Sequence, residues 1–325
     1  MAQPDRRHRG HAFGLAPVSP IETEPGRGAR ATLMGLGAVA LWAVLAALTT
    51  LAGPIPPFQL AAMAFFVGTL VGVGWALATG QPLALLKTVP AGSWALGVYG
   101  LLAFHVCYFF ALQAAPALEA SLIIYLWPLL IVLFSAMLPR RVGGAPLRWW
   151  HAVGALLGFL GTVLILTGKP PSAGAPGTGL GYLLAFAAAF IWSSYSVASR
   201  LFSAVPSVAV IGTCAVTSVG ALVLHLLLER TVTPTGPLAW LAVAGLGLGP
   251  VGLAFYLWDE GMKHGQIRVL GVASYATPLA STLILAGLGL GEASAMLWLA
   301  ALLITAGALL ASRDVIWPKD ERLRT

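Results

Sequence analysis

Nothing constrains the fold of this chain more than its succession of long apolar runs. Ten stand out, at about residues 31–52, 57–79, 92–114, 118–138, 147–167, 179–201, 206–229, 237–259, 267–289 and 293–313. Each approaches the roughly 20 residues that a helix needs to cross a bilayer. Turn formers separate them: Pro54, Pro56 and Pro57 after the first, Pro82 and Pro90 around the next loop, then Pro116, and then Gly143, Gly144 and Pro146. In hydrocarbon every backbone polar group must be satisfied internally, which a helix does within itself. The chain therefore reads as an all-α integral membrane protein with ten transmembrane helices.

Composition agrees. Hydrophobic residues make up 58% of the 325 and charged residues 9%, against about 25% charged in soluble domains. The lipid bilayer is the expected solvent. The net charge of +7 comes from basic residues scattered between apolar runs. They form no stripe of the kind that binds a phosphate backbone, so nucleic acid is excluded as a partner. Cys107 and Cys214 both lie in apolar runs, with no CxxC and no Cys/His cluster. No metal, cofactor or disulfide framework is expected. Residues 1–30 are rich in Arg, Pro and Gly and lack the apolar core of a signal peptide. They read as a disordered tail, and 314–325 as a second one.

Charge also predicts the orientation. Of the 18 Lys and Arg, all but Lys169 and Arg230 fall on the side that holds residues 1–30. The positive-inside rule places that side, and both termini, in the cytoplasm.

The chain repeats itself. Adding 150 to a position takes Trp42 to Trp192, Pro56 to Pro206, Gly97 to Gly247, Tyr125 to Tyr275 and Pro128 to Pro278. Residues 31–168 and 179–313 are read as two five-helix repeats, joined by a Pro/Gly/Ser-rich linker at 169–178. Five is odd, so the second repeat enters the membrane inverted. Inverted repeats are a recurrent plan of secondary transporters, whose substrate site lies near the midplane at the repeat interface. On this plan helices three, four, eight and nine are expected to rock against one, two, six and seven, with five and ten outside.

Counting along each run brings Trp42, Trp192, His105, Pro128 and Pro278 to one mid-membrane depth. Tryptophan favours the interfaces, so a midplane indole needs a partner for its N–H or a cavity. An intramembrane histidine is costly and usually faces the bundle interior or water. For His105 two readings stand, a cavity-lining donor or a neutral ring satisfied by a helix carbonyl. Tyr108 lies one turn beyond it. Tyr108, Tyr125 and Trp127 either line an aromatic pocket or pack against neighbours; such a pocket suits a flat apolar ring on a zwitterion. Tyr275 joins them through the repeat, and Tyr195 through the polar run Trp192–Ser196. Pro128 and Pro278 remove a backbone donor, which predicts kinks that free the carbonyls of Ile124 and Ser274, either as hinge and site or as a static bend. Asp259 and Glu260 are expected to end helix eight at the membrane edge, with Asp259 paired to Lys263 four residues on.

Enzyme signatures are lacking: the sequence has no Walker loop, GxSxG, HExxH or mid-membrane carboxylate pair. An integral-membrane enzyme acting on lipid intermediates and a channel stand as weaker alternatives.

The Leu41-Trp42 element, the Tyr108–Ser121 run and the five-plus-five plan resemble the EamA-type drug/metabolite transporter superfamily over residues 31–313. The His105…Tyr108 pair with Tyr125-x-Trp127-Pro128 is similar to the YddG-type aromatic amino-acid exporters. The resemblance implies a secondary transporter of the bacterial inner membrane that exports amino acids, aromatic ones preferred, through a central cavity. Other small metabolites or drugs are the alternative cargo within the superfamily.

Overall fold

The structure is a computed structural model that describes residues 26–115, 117–142, 144, 146–167, 178–289, 295–311 and 313. Residues 1–25 and 314–325 of the expected tails, 169–177 of the expected linker and Pro116 lie outside these residues; Arg27–Arg30, expected in the tail, and Thr178, expected in the linker, already belong to helices. The described residues are helical throughout, joined by turns, with no strand among them.

The first half begins with α1 (Arg27–Ala43) and α2 (Leu45–Ala52), one rod interrupted at Val44, followed by α3 (Pro57–Ala78). Next come α4 (Ala91–Val98) and α5 (Phe104–Ala114), joined by a π-helical turn at Tyr99–Ala103. Then follow α6 (Ala117–Ile124), α7 (Trp127–Ser135) and α8 (Trp149–Thr167). The second half runs through α9 (Thr178–Ala198), α10 (Ala209–Leu228) and α11 (Gly236–Leu248). A second π turn, Gly249–Leu253, leads into α12 (Ala254–His264), then α13 (Ile267–Ala273), α14 (Ala276–Gly287) and α15 (Ala295–Ala311). The two π turns stand 150 residues apart, in register with the sequence repeat. Among the described residues seven helical stretches are long and apolar enough to cross a membrane: 27–52, 57–78, 91–114, 179–202, 209–228, 236–264 and 267–287. Large side chains such as Leu77, Leu227, Leu302 and Met137 are exposed on the outside, the arrangement of a bundle solvated by lipid. The protein is a multi-pass membrane protein.

Packing exchanges the two halves. α1 lies along α12 and α5 along α9, which are equivalent pairs under the repeat; α3 meets α10, and α8 meets α15. Further contacts join α1 to α13 and α14, and α9 to α6 and α7. Helix one thus packs against helices eight and nine, and helix six against three and four. Close backbone approach explains it. A Cβ on Gly261 would lie 2.7 Å from the Cα of Gly35, where α12 crosses α1. A Cβ on Gly100 would lie in the ring of Tyr195, where the first π turn meets α9. Without a hydrophobic drive between helices in lipid, such small-residue crossings supply the van der Waals contact.

Polar networks close the two ends of the bundle. Pro56 precedes α3 and has no side-chain acceptor, so the helix start is capped from afar. Glu229 Oε1 accepts the N–H of Phe58 at 3.0 Å, and Oε2 accepts that of Gln59 at 3.1 Å. His225 holds this carboxylate through Nδ1 at 2.9 Å and bonds Thr231 through Nε2. Replacing a helix cap costs about 1 kcal/mol. Glu229→Ala is therefore expected to lower the thermal midpoint in detergent, and Glu229→Gln, which keeps one acceptor, to lower it less. An unchanged midpoint for both would show that the cap adds nothing.

At the other end helix eight does not stop at Asp259 but runs on to His264. Asp259 is buried. Its Oδ2 accepts from Lys263 Nζ at 2.7 Å and from Ser207 Oγ at 2.8 Å, and Lys263 also donates to the Val205 carbonyl at 2.9 Å. The expected i+4 pair is present. Nearby, the Arg200 guanidinium donates to the carbonyls of Val142, Met262 and Gly265, tying the ends of three helices together.

Candidate functional site

The centre of the bundle is built from four indoles. Trp42 comes from α1, Trp127 from the first position of α7, Trp192 from α9 and Trp258 from α12. Every pair is in ring contact, from 5.0 Å between Trp42 and Trp258 to 6.3 Å between Trp127 and either Trp42 or Trp192. Aromatic pairs at such distances, edge-on or offset, add to simple burial. Two of the polar tips are satisfied across the bundle. Trp42 Nε1 donates to the Pro250 carbonyl in the second π turn at 3.0 Å. Trp258 Nε1 donates to Ser196 Oγ at 3.0 Å. The partner that a midplane indole requires is thus the irregular backbone of the opposite half.

The helix break beside this cluster has a local cause. Pro128 has no N–H to give, so it suits the first turn of a helix, and it is the second residue of α7. The preceding turn tightens: Leu126 N–H bonds the Ile123 carbonyl at 3.1 Å. Trp127 therefore sits at the break, and its carbonyl accepts from Ser193 Oγ at 2.9 Å. In the second half the break falls at Ser274 and Tyr275, and Pro278 is the third residue of α14. The Ser274 carbonyl is not free as expected, because the N–H of Thr277 bonds it at 3.1 Å. Both prolines stand in the first turn after a short break whose backbone stays in the right-handed helical region.

From the indoles a column of rings leads toward the Glu229 end. Phe255 contacts Trp42 and stacks on Phe65 at 5.5 Å. Phe65 meets His105 edge-on at 5.0 Å, His105 meets Phe109 at 5.8 Å, and Phe109 meets Phe58 at 5.4 Å. His105 Nδ1 lies 2.7 Å from the Leu101 carbonyl in the first π turn. A carbonyl only accepts, so Nδ1 carries a proton. The reading of a ring satisfied by its own helix holds for Nδ1. Tyr108 is half-buried, with Phe104 and Phe109 against it. Tyr125 is half-buried in the break itself.

The structure thus brings together Trp42, Trp127, Trp192 and, through Phe255 and Phe65, His105; Tyr108 joins through Phe104 and Phe109, and Pro128 sets the break. Tyr195 touches Trp192 at 5.5 Å but turns its ring onto Gly100. Tyr275 stands apart. It is fully buried against Gly158, in a separate cluster with Ala300 and Ile304. Pro278 is buried near it in sequence. Sequence reasoning missed Phe255 and Trp258, although the repeat held the signal: adding 150 to His105 and Tyr108 gives these two positions.

Comparison with known proteins places this geometry in context. The EamA-like transporter family matches residues 29–167 and again 179–313. A protein of Ancylobacter novellus named aromatic amino acid exporter YddG is 48% identical over 283 residues, covering 87% of this chain and 96% of that protein. Its namesake in Salmonella typhimurium is 28% identical over 295 residues, covering 86% of this chain and 96% of the relative. A crystal structure 46% identical in sequence superposes with a TM-score of 0.83, covering 90% of this chain and 99% of that one.

Proposed function

Because the chain belongs to the EamA-like transporter family, we propose that it exports amino acids, aromatic ones preferred, by alternating access through the aromatic centre of the bundle. The observation that carries this reading is the indole cluster built at a broken helix and continued by the ring column to His105. Aromatic walls bind a flat ring by its faces and edges. The half-buried tips of His105, Tyr108 and Tyr125 offer acceptors and donors to an ammonium and a carboxylate. The name shared by the relatives supports the same cargo.

The full reading is ten transmembrane helices in two inverted repeats, 31–168 and 179–313, with the remaining residues as tails and linker. α6 with α7, α8 and α15 complete the count. The bacterial inner membrane is the proposed location, with both termini cytoplasmic. The packing supports the sidedness: Arg200 and Lys263 meet neighbouring helix ends on one side, and Arg148 and Arg313 flank Trp150. The proposed moving bodies are the packed groups, α1, α2 and α11–α14 on one side and α4–α7 with α9 on the other.

Counterflow of radiolabelled tryptophan or phenylalanine in proteoliposomes tests the function. Saturable exchange is expected, and none at all would overturn it. His105→Ala and Trp127→Ala are each expected to lower the exchange rate at least about tenfold, the equivalent of one lost charge-assisted contact. If both exchange at the wild-type rate, the site lies elsewhere.

A further inference from the structure

A cavity of about 470 Å³ opens on the opposite face of α12 from the indoles. It lies between α1, α3, α12 and the segment 203–207. Its shape is directional. Leu253, Leu257, Val71 and Met34 line one end, where Leu253 is 43% exposed to the outside. Arg27, Glu260 and His264 line the other, with Gln81 and Ser207 beside them. Leu253 and His264 are eleven residues apart, about 16 Å along the helix at the usual rise. The cleft is therefore longer than an amino acid and is apolar at its bilayer end and charged at its rim. Its floor is tight: Tyr256 slots into the gap that Gly72 leaves and donates to the Gly68 carbonyl at 3.2 Å.

The charges at the rim are weakly engaged. Among the described residues Arg27 makes no hydrogen bond or ion pair, and Glu260 meets only His264, at 3.9 Å. A cation and a carboxylate stand at the mouth of one apolar cleft, on the side that carries most of the basic residues. We infer that this cleft holds a phospholipid with a zwitterionic, primary-amine headgroup. Arg27 takes the phosphate, Glu260 takes the ammonium by a charge-assisted hydrogen bond, and the first methylenes of an acyl chain follow Leu257 and Leu253 outward. A choline headgroup fits less well, because its methylated nitrogen has no N–H to donate to Glu260. A glycerol headgroup leaves Glu260 without a cation.

Native mass spectrometry of the purified full chain, equilibrated with equal amounts of phosphatidylethanolamine, phosphatidylcholine and phosphatidylglycerol, tests this without any transport readout. The wild type is expected to retain phosphatidylethanolamine in preference. Glu260→Gln is expected to lower that retention about tenfold and shift the preference to phosphatidylglycerol. Leu253→Trp, at an exposed position, is expected to block all three lipids while leaving helicity unchanged. Equal retention of the three lipids by the wild type would overturn the assignment. So would unchanged retention by both variants, or displacement of the bound species by free tryptophan.

Discussion

Trp42→Ala is expected to abolish counterflow and to lower the thermal midpoint in detergent. The indole contacts three other tryptophans and Phe255, and its N–H holds the Pro250 carbonyl of the opposite half. Truncating a tryptophan in a packed interior costs about 3–5 kcal/mol through lost contact and the cavity left behind. Trp42→Phe separates the two contributions. It keeps a ring in the cluster and removes only the donor, a change of about 1 kcal/mol for a neutral bond. Near-wild-type stability with a several-fold slower exchange is the expected result for Trp42→Phe. If Trp42→Ala exchanges substrate as well as the wild type, the cluster is only filling.

Lys263→Met is expected to be the most destabilising change at the closed polar end. It leaves the Asp259 carboxylate buried with Ser207 as its remaining partner. Side-chain exposure of the pair is 5% for Lys263 and 6% for Asp259. Breaking such a pair on one side costs about 3–5 kcal/mol, whereas replacing both partners by apolar residues is often neutral. The double variant Asp259→Leu/Lys263→Met is therefore expected to regain most of the lost thermal midpoint. Equal losses in the single and double variants would mean that the hydrogen bonds to Ser207 and Val205, not the ion pair, hold this end.

The sequence showed much of this architecture and missed definite parts of it. Counting depth along apolar runs brought Trp42, Trp192 and His105 together, because a straight helix converts position into depth at a fixed rise. Trp258 was missed although the repeat pairs it with Tyr108. Helix eight was expected to end at Asp259, but α12 runs on to His264. Tyr275 shows the converse failure. It matches Tyr125 in the repeat, yet its ring fills the slot that Gly158 leaves on α8, and a repeat in sequence does not fix which neighbour a side chain meets. The prolines were correctly located, and only backbone bonding shows that the Ser274 carbonyl keeps a partner.

Four indoles in mutual contact are also an optical device. Their transition dipoles couple at these separations, so the cluster gives an exciton couplet in ultraviolet circular dichroism that an isolated tryptophan lacks. Trp42 and Trp258 belong to one packed group of helices, and Trp127 and Trp192 to the other. Any motion that parts the groups changes four of the six couplings at once. The unlabelled protein thus carries its own spectroscopic ruler between the two packed groups.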